Sequence, residues 1–271
     1  MPTQAEKAIA FRALHARAAA FIIPNPWDPG TARLLQQEGF EALATTSAGY
    51  AFSVGRRDNR IGRDEMLAHI RAIVAVTDLP VSADLENGYG VDPGAVAETY
   101  RLAAAAGLAG ASIEDATQRA DEPLFEIAQA VDRVRAAVEA VRALPFPFTL
   151  TARAENFLVG RPDLKDVIRR LQAYQEAGAD VLYAPGLSTR EDIAAVVSSV
   201  DRPVNVVMGL RGANLSLAEL SALGVRRVSI GSALARAAFG AFLRAAREMR
   251  EHGTFSFADD AVSFAELTQR F

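Results

Sequence analysis

Eight short apolar runs, separated by stretches long enough for amphipathic helices, constrain this chain more than any other feature. The runs fall at 20–24, 41–46, 80–84, 109–113, 147–152, 180–184, 203–207 and 225–230. Helical spacing occupies residues near 31–38, 64–77, 93–106, 123–143, 163–177, 189–199, 215–222 and 232–251, and one more helix over 4–19 precedes the first run. Strands that alternate with helices pair in parallel, because each helical crossover returns the chain to the same end of the sheet. Eight such units predict a sheet that closes on itself, a (β/α)8 barrel of the TIM type, formed by residues 1–271 as one domain. An open doubly wound sheet is the alternative, and no Gly-x-Gly-x-x-Gly follows the first strand to support it. Gly39, Gly107, Gly178 and Gly224 each end a helix just before the next strand and mark the barrel floor. Function is therefore expected at the opposite rim, in the loops that follow the strands.

Composition excludes several classes. The chain has no cysteine, so disulfides, thiolate metal sites and a cysteine nucleophile are absent. Charges of both signs are mixed and leave a net charge of −4, which offers nucleic acid or a membrane surface no basic face. Glu6, Lys7, Arg12 and Arg17 interrupt the first twenty residues, and no apolar run reaches the roughly 20 residues of a membrane span. A soluble, cytoplasmic protein is expected. Residues 252–271 carry Phe255, Phe257, Phe264, Leu267 and Phe271, too much apolar surface for a free tail, so this helical extension is expected to pack on another subunit.

The strand ends carry the chemistry. Pro80-Val81-Ser82-Ala83 reads as a buried strand that delivers Asp84 and Glu86 to a turn made by Gly88 and Gly90. Residues two apart face one side of a strand, so both carboxylates can converge on a hard cation such as Mg²⁺. A polar strand end entering a solvated turn is the plainer alternative. The fourth strand ends in a second acidic pair, Glu114-Asp115, and the fifth releases Arg153, whose planar fork suits a carboxylate. Small residues from Thr45 to Tyr50 end the second strand and allow backbone N–H groups to approach an anion. The charged loop beyond it holds Asp58 among Arg56, Arg57 and Arg60.

Over most of its length the sequence resembles the isocitrate lyase and phosphoenolpyruvate mutase superfamily. The resemblance runs through Asn25-Pro-Trp-Asp28, Thr46-Ser-Ala-Gly49, Asp84-Leu-Glu-Asn-Gly-Tyr-Gly90, Ile113-Glu-Asp115, Ala152-Arg-Ala-Glu-Asn156, Ala177-Gly-Ala-Asp180 and Pro203-Val-Asn-Val-Val-Met208. It implies that Asp84 touches Mg²⁺ (or Mn²⁺) directly, with Glu86 and Glu114 holding the ion through waters. It further implies that Ser47 and the backbone of Ala48 and Gly49 bind a carboxylate or oxyanion. Arg153 would pair with a substrate carboxylate, Asp58 would order the metal side, and Trp27 and Asn205 would add substrate contacts. The implied catalytic set is Ser47, Asp58 and Arg153. The implied assembly is a dimer formed by helix exchange near the eighth helix, pairing into a homotetramer.

The chemistry implied is Mg²⁺-dependent cleavage or decarboxylation of a small 2-oxo carboxylate of pyruvate, oxaloacetate or 2-oxoglutarate type, through a metal-bound enolate. Departures from the family bear on it: Glu86 stands where the family more usually has aspartate, the lysine and asparagine lid of the mutase and hydrolase branch is absent and leaves Gln118 and Arg119 as its polar residues, and two further positions differ. Where the lyase branch carries a catalytic cysteine in a Lys-Lys-Cys-Gly-His lid, this chain reads Ala116-Thr-Gln-Arg-Ala-Asp-Glu-Pro123, which argues against ordinary isocitrate or methylisocitrate lyase activity. Tyr183-Ala184-Pro185-Gly186 lacks the histidine or glutamate that some branches place after the sixth strand, so no general acid can be named. A 2-oxo acid binding protein that has lost its catalytic lid, and a phosphonate P–C mutase or hydrolase, are the alternatives.

Overall fold

The structure, a computed structural model, describes residues 2–210 and 214–271. Its strands are β1 (Phe21–Ile23), β2 (Leu43–Ala44), β3 (Val81–Asp84), β4 (Gly110–Glu114), β5 (Thr149–Arg153), β6 (Val181–Tyr183), β7 (Val204–Val207) and β8 (Arg227–Ser229). All are parallel, in the order β1-β8-β7-β6-β5-β4-β3-β2. The two ends of that order meet where the Ala44 N–H donates to the Pro24 carbonyl at 3.0 Å, and this bond all but closes the barrel. The (β/α)8 expectation holds.

The helices are α1 (Gln4–His15), α2 (Pro29–Gln37), α3 (Ser47–Ser53), α4 (Arg63–Val74), α5 (Pro93–Ala105), α6 (Ile127–Arg142), α7 (Leu164–Glu176), α8 (Arg190–Ser198), α9 (Leu217–Ala222), α10 (Ala233–His252) and α11 (Phe264–Arg270). Most begin at a side-chain cap that the sequence supplies. Asp28 and Asp92 accept from N–H groups of the first turn and are each followed by proline, while Thr3 and Ser216 form capping boxes with Glu6 and Glu219. Among the boundaries that depart from the sequence reading, α1 ends at His15 instead of near residue 19, and two more lie at the rim. The stretch from Ser47 is a helix with Thr46 as its cap rather than an open turn. The helix expected from residue 123 starts only at Ile127, because Ala116 pairs with Leu124 and folds the intervening residues into a loop.

Strand alternation divides the interior in two. Val81, Ala83, Ala111, Ile113, Leu150, Ala152, Leu182, Val204, Val206 and Val228 face outward into the jacket of helices and form its core. Their neighbours Ser82, Asp84, Ser112, Arg153, Tyr183, Asn205, Arg227 and Ser229 point to the barrel axis. The floor is closed by α1, whose Phe11 and Leu14 pack with Phe21, Ile23, Ala42 and Ala109. Gly110 is required there, since a Cβ would stand 2.6 Å from the Thr149 carbonyl oxygen and 2.9 Å from the Phe11 ring.

The carboxyl-terminal part leaves the barrel. Only Ala235 of α10 is buried, and beyond it come a 3₁₀ turn (Ser256–Asp260) and α11. The last residues turn back to α2, where Arg270 pairs with Glu38 at 2.6 Å and its carbonyl accepts from Gln37. Phe255, Phe264 and Phe271 of this segment stay exposed, Phe264 at 88% and Phe255 at 67%, while Phe257 is half-buried.

Arg133 of α6 ties the jacket to the rim. It is buried, its guanidinium lies 3.9 Å from the Phe125 ring centroid, and it donates to the carbonyls of Asn87, Gly90 and Glu114. Arg133→Met should lower the unfolding free energy by about 2–5 kcal/mol in urea titrations, because those carbonyls lose a charged donor. Arg135→Ala, which breaks only an exposed pair with Asp132, should stay within about 0.5 kcal/mol of the parent. Equal losses in the two variants would refute the role given to Arg133.

Candidate active site

Four strand ends meet at one rim around Asp84. Its Oδ2 accepts from the Ser47 hydroxyl at 2.7 Å and the Ser47 N–H at 3.3 Å. Its Oδ1 accepts from Arg153 Nη1 at 2.8 Å and from the Glu86 N–H at 3.3 Å. Arg153 is shared further: Nη2 lies 3.2 Å from Glu114 and Nε donates to Glu155 at 2.8 Å, while the Tyr183 ring lies 5.2 Å below the guanidinium. The register explains the convergence. Glu114 pairs directly with Arg153 across β4 and β5, and Arg153 with Tyr183 across β5 and β6.

Above these groups opens a cleft of about 710 Å³ lined by Ser47, Ala48, Asp58, Asp84, Glu114, Arg153, Glu155 and Tyr183, with the loop from Ala116 to Pro123 along one side. That loop reaches back across the cleft. Gln118 Nε2 donates to Asn59 Oδ1 and to Glu86 Oε2, each at 3.0 Å. Asn59, Glu86 and Gln118 all adopt left-handed backbone, with φ of 60°, 49° and 63°. Such conformations cost free energy in non-glycine residues and gather where a site imposes them.

The cup holds more acid than base. Burial, then the charge of Asp84, pushes the Glu86 carboxyl up to about 7. Burial also raises Glu155 to about 6 and Glu114 well above the ordinary range, against the pull of Arg153. Asp58 is exposed yet held above its usual value, first by the protein around the cleft and then by Asp84. Burial first, together with nearby Glu155, raises Tyr183 to about 12 despite Arg153, so it is a neutral hydroxyl at physiological pH.

A cation fits this cup. Among the described residues Glu86 Oε1 is buried without a hydrogen-bond partner, and the carboxylates of Asp84, Glu86, Glu114 and Glu155 outnumber the Arg153 guanidinium set among them, which calls for more positive charge. Among the described residues, no three acidic or histidine side chains stand close enough to ligate one ion together. An ion here would touch few carboxylates and keep water in its shell, which suits Mg²⁺.

The expected residues separate into those at the cleft and those outside it. Ser47, Ala48, Asp58, Asp84, Glu114 and Arg153 line the cleft, and Glu86 stands beside it under Gln118. Gly49 is buried against Trp27 and Ala235, and its N–H is taken by the Thr46 cap at 3.1 Å. This leaves Ala48 with the N–H that has no acceptor inside the helix. Trp27 packs behind α3, where Gly49 abuts it, and does not line the cleft. Asn205 lies lower in the barrel, its amide bonded to Ser229 and Arg227. Asp115 turns away from the cleft toward α7 as a support, accepting from Tyr174 at 2.5 Å, Arg170 at 3.1 Å and the Glu155 N–H at 2.9 Å. Glu155 and Tyr183 are the residues the sequence reading missed. The Arg153-Ala154-Glu155 spacing was a signal for the first, since residues two apart share a face; nothing local marks the second.

A parallel barrel with acids and an arginine gathered at its C-terminal rim has the layout of a barrel enzyme, whose loops after the strands build the active site. The sequence pattern of the phosphoenolpyruvate phosphomutase family matches residues 11–250. The chain belongs to that family, within the isocitrate lyase and phosphoenolpyruvate mutase superfamily. A crystal structure of a lyase/mutase-type protein from Burkholderia cenocepacia J2315 is 66% identical, with a TM-score of 0.97 over 98% of this chain and 95% of that one. An oxaloacetate decarboxylase of Chromohalobacter salexigens is 30% identical over 100% of this chain and 93% of its own length. A phosphonopyruvate hydrolase, solved with oxalate and Mg²⁺, is 27% identical with a TM-score of 0.87, covering 99% of this chain and 95% of that one.

The raised carboxyls fix the sign of the pH response in metal-free protein. Below the ordinary value of 4.5 both folded and unfolded states are protonated; between 4.5 and about 7 the folded state keeps a proton at Glu86 that the unfolded chain releases. Stability should therefore fall as pH rises through this window, by on the order of 2–3 kcal/mol from Glu86 alone. Urea titrations in EDTA at pH 5 and pH 8 measure it. Glu86→Gln should flatten the slope, and an unchanged slope would remove Glu86 as its source.

Proposed function

We propose that this chain is a Mg²⁺-dependent lyase that breaks a C–C bond in a small 2-oxo dicarboxylate, with oxaloacetate decarboxylation as the first reaction to test. The observation that carries the reading is the surplus of carboxylates around Asp84, set against one guanidinium at the strand ends. The full-length likeness to an oxaloacetate decarboxylase supports the substrate class, and the hydrolase solved with oxalate and Mg²⁺ supports the cation.

In oxaloacetate the C3–C4 bond breaks, C4 departs as carbon dioxide, and its electron pair remains as an enolate over C3, C2 and the carbonyl oxygen. A proton delivered to C3 then gives pyruvate. Asp84, with Glu86 and Glu114 beside it, would hold a divalent cation, which would supply positive charge for the oxygen on which negative charge accumulates. Ser47 and Arg153 fix Asp84 from opposite oxygens, which holds that carboxylate still without any reorganisation during reaction. Arg153 has further N–H groups beyond its three protein contacts, and these serve a substrate carboxylate in the cleft. Gln118 keeps the Ala116–Pro123 loop across the opening and limits water. Tyr183, neutral and within the cleft, provides the hydroxyl acid that this sequence otherwise lacks. With no cysteine in the chain, this route needs none.

Oxaloacetate, a 2-methylmalate-type hydroxy acid and phosphonopyruvate should be offered in turn with Mg²⁺. The expected result is pyruvate and carbon dioxide from oxaloacetate, abolished by EDTA. Phosphate release from phosphonopyruvate alone would assign P–C hydrolysis instead, and tight oxalate binding without turnover would make this a 2-oxo acid binding protein. Asp84→Asn should abolish Mg²⁺-dependent oxalate binding in calorimetry with the fold retained. Arg153→Lys keeps the charge but loses the fork, and should weaken oxalate at least about tenfold, roughly 1.4 kcal/mol.

Assembly belongs to the same reading. The free face of α10 exposes Phe242 (68%), Leu243 and Met249, and the segment after it exposes Phe255, Val262 and Phe264. Apolar area of this kind on a soluble chain marks a subunit contact, and a second copy offers the same face by symmetry. Deleting residues 254–271 should lower the particle mass in light scattering or cause aggregation. Unchanged mass and melting temperature would mean that the anchorage of Arg270 on α2 is all the segment provides.

A further inference from the structure

Beneath the cleft, on the barrel axis, lies a second and smaller chamber of about 90 Å³. Asp84, Arg153 and Tyr183 form its roof, and Ser82, Ser112, Asn205, Arg227 and Ser229 line the part below. In most barrels of this class the axis is filled by branched apolar side chains. Here it is polar and open, with room for roughly three waters at about 30 Å³ each.

Arg227 sets the charge of this chamber. It is 5% exposed, and its guanidinium meets only neutral partners: Asn205 Oδ1 at 2.9 Å, Thr151 Oγ1 at 3.0 Å and His15 Nε2 at 3.4 Å. His15 cannot compensate it, since burial and the neighbouring Arg227 push the imidazole down to about 3 and keep it neutral. Among the described residues, Arg227 has no carboxylate within ion-pair distance, in contrast to Arg153 and Arg170. Burial, helped by the like charge of Arg153 and opposed by Tyr183, draws its own pKa down to about 10. Buried charges in proteins are paired, because a lone one forfeits its hydration. The hydroxyls of Ser82 and Ser112, both on the wall, make no hydrogen bond with any described residue and are free to donate.

We propose that this chamber is a binding site for one small monovalent anion of halide size, held by the Arg227 guanidinium with the Ser82 and Ser112 hydroxyls. The anion completes the charge balance of the barrel axis and lies behind Arg153, below the substrate cleft, with Asp84, Arg153 and Tyr183 as the wall the two spaces share. Its size limit follows from the chamber: chloride or bromide with a water or two fits, while a gluconate-sized anion does not. The site does not depend on the reaction proposed for the cleft.

The test uses the full chain in two ways. Crystals grown in sodium bromide should show an anomalous peak in contact with the Arg227 guanidinium. At constant ionic strength, replacing gluconate by chloride should raise the melting temperature saturably, by roughly 5–10 °C at a hundredfold excess over Kd. Ser82→Ala should shift the half-saturation point to higher chloride, and Arg227→Met should remove the chloride response. If Arg227→Met fails to fold, the bromide map of the parent protein decides. A chamber containing only water in bromide, or melting temperatures that follow ionic strength whatever the anion, would overturn the proposal.

Discussion

The Arg153 guanidinium is the interaction on which the rim of this barrel depends. It takes one carboxylate from the end of each of three neighbouring segments, Asp84 at the end of β3, Glu114 at the end of β4 and Glu155 just past β5. Without a cation between them, three acids crowded into one cup would repel one another. A guanidinium can reach all three because its N–H groups radiate in a plane, and a lysine could not do the same. One positive charge against so many acids still leaves a deficit. That deficit makes the cup receptive to a divalent cation, and it appears in the raised carboxyls of Glu86, Glu114 and Glu155.

Behind the cup, further arginines hold the backbone in place. Arg170 and Tyr174, both from α7, clamp Asp115, whose other oxygen accepts the Glu155 N–H and so fixes the turn that presents Glu155 to Arg153. Arg133 gathers three carbonyls from the ends of β3 and β4. The strained residues lie in front of this frame. Asn59, Glu86 and Gln118 share hydrogen bonds across the cleft, so the cost of their left-handed backbone is offset by contacts that exist only when the three loops come together. Rigid support at the back and a hydrogen-bonded strap at the front are what a site needs if it is to admit a small anion and then limit water.

The polar axis of the barrel follows from the same alternation that builds the jacket. Each strand sends one residue out to apolar helices and the next inward, and the inward positions that line the lower chamber from β3, β4, β7 and β8 include Ser82, Ser112, Asn205, Arg227 and Ser229. The barrel is stabilised from outside by the helix jacket and from below by α1, which leaves the interior free to carry charge.

The sequence by itself determined the architecture, because eight strand runs separated by helices of crossover length can pair only in parallel, and glycine stops mark one end of the sheet. It also determined that acids from the third and fourth strands and an arginine from the fifth share one rim, since chain order and period-two spacing place them there. Tertiary structure decided what each of them touches. Arg153 was legible as a binding fork, but only the register of β3, β4 and β5 engages it first with Asp84, Glu114 and Glu155. Asp115 sits beside Glu114 in the sequence yet points away from the cleft, because successive strand residues face opposite sides and α7 offers it Arg170 and Tyr174. Trp27 and Asn205 lie in motifs that resemble the family, but one packs behind α3 and the other sits below the cleft, positions set by packing depth rather than by spacing. Glu155, Tyr183 and the Arg227 chamber carried no decisive local signal, since contacts between residues dozens to hundreds of positions apart exist only once the sheet has closed.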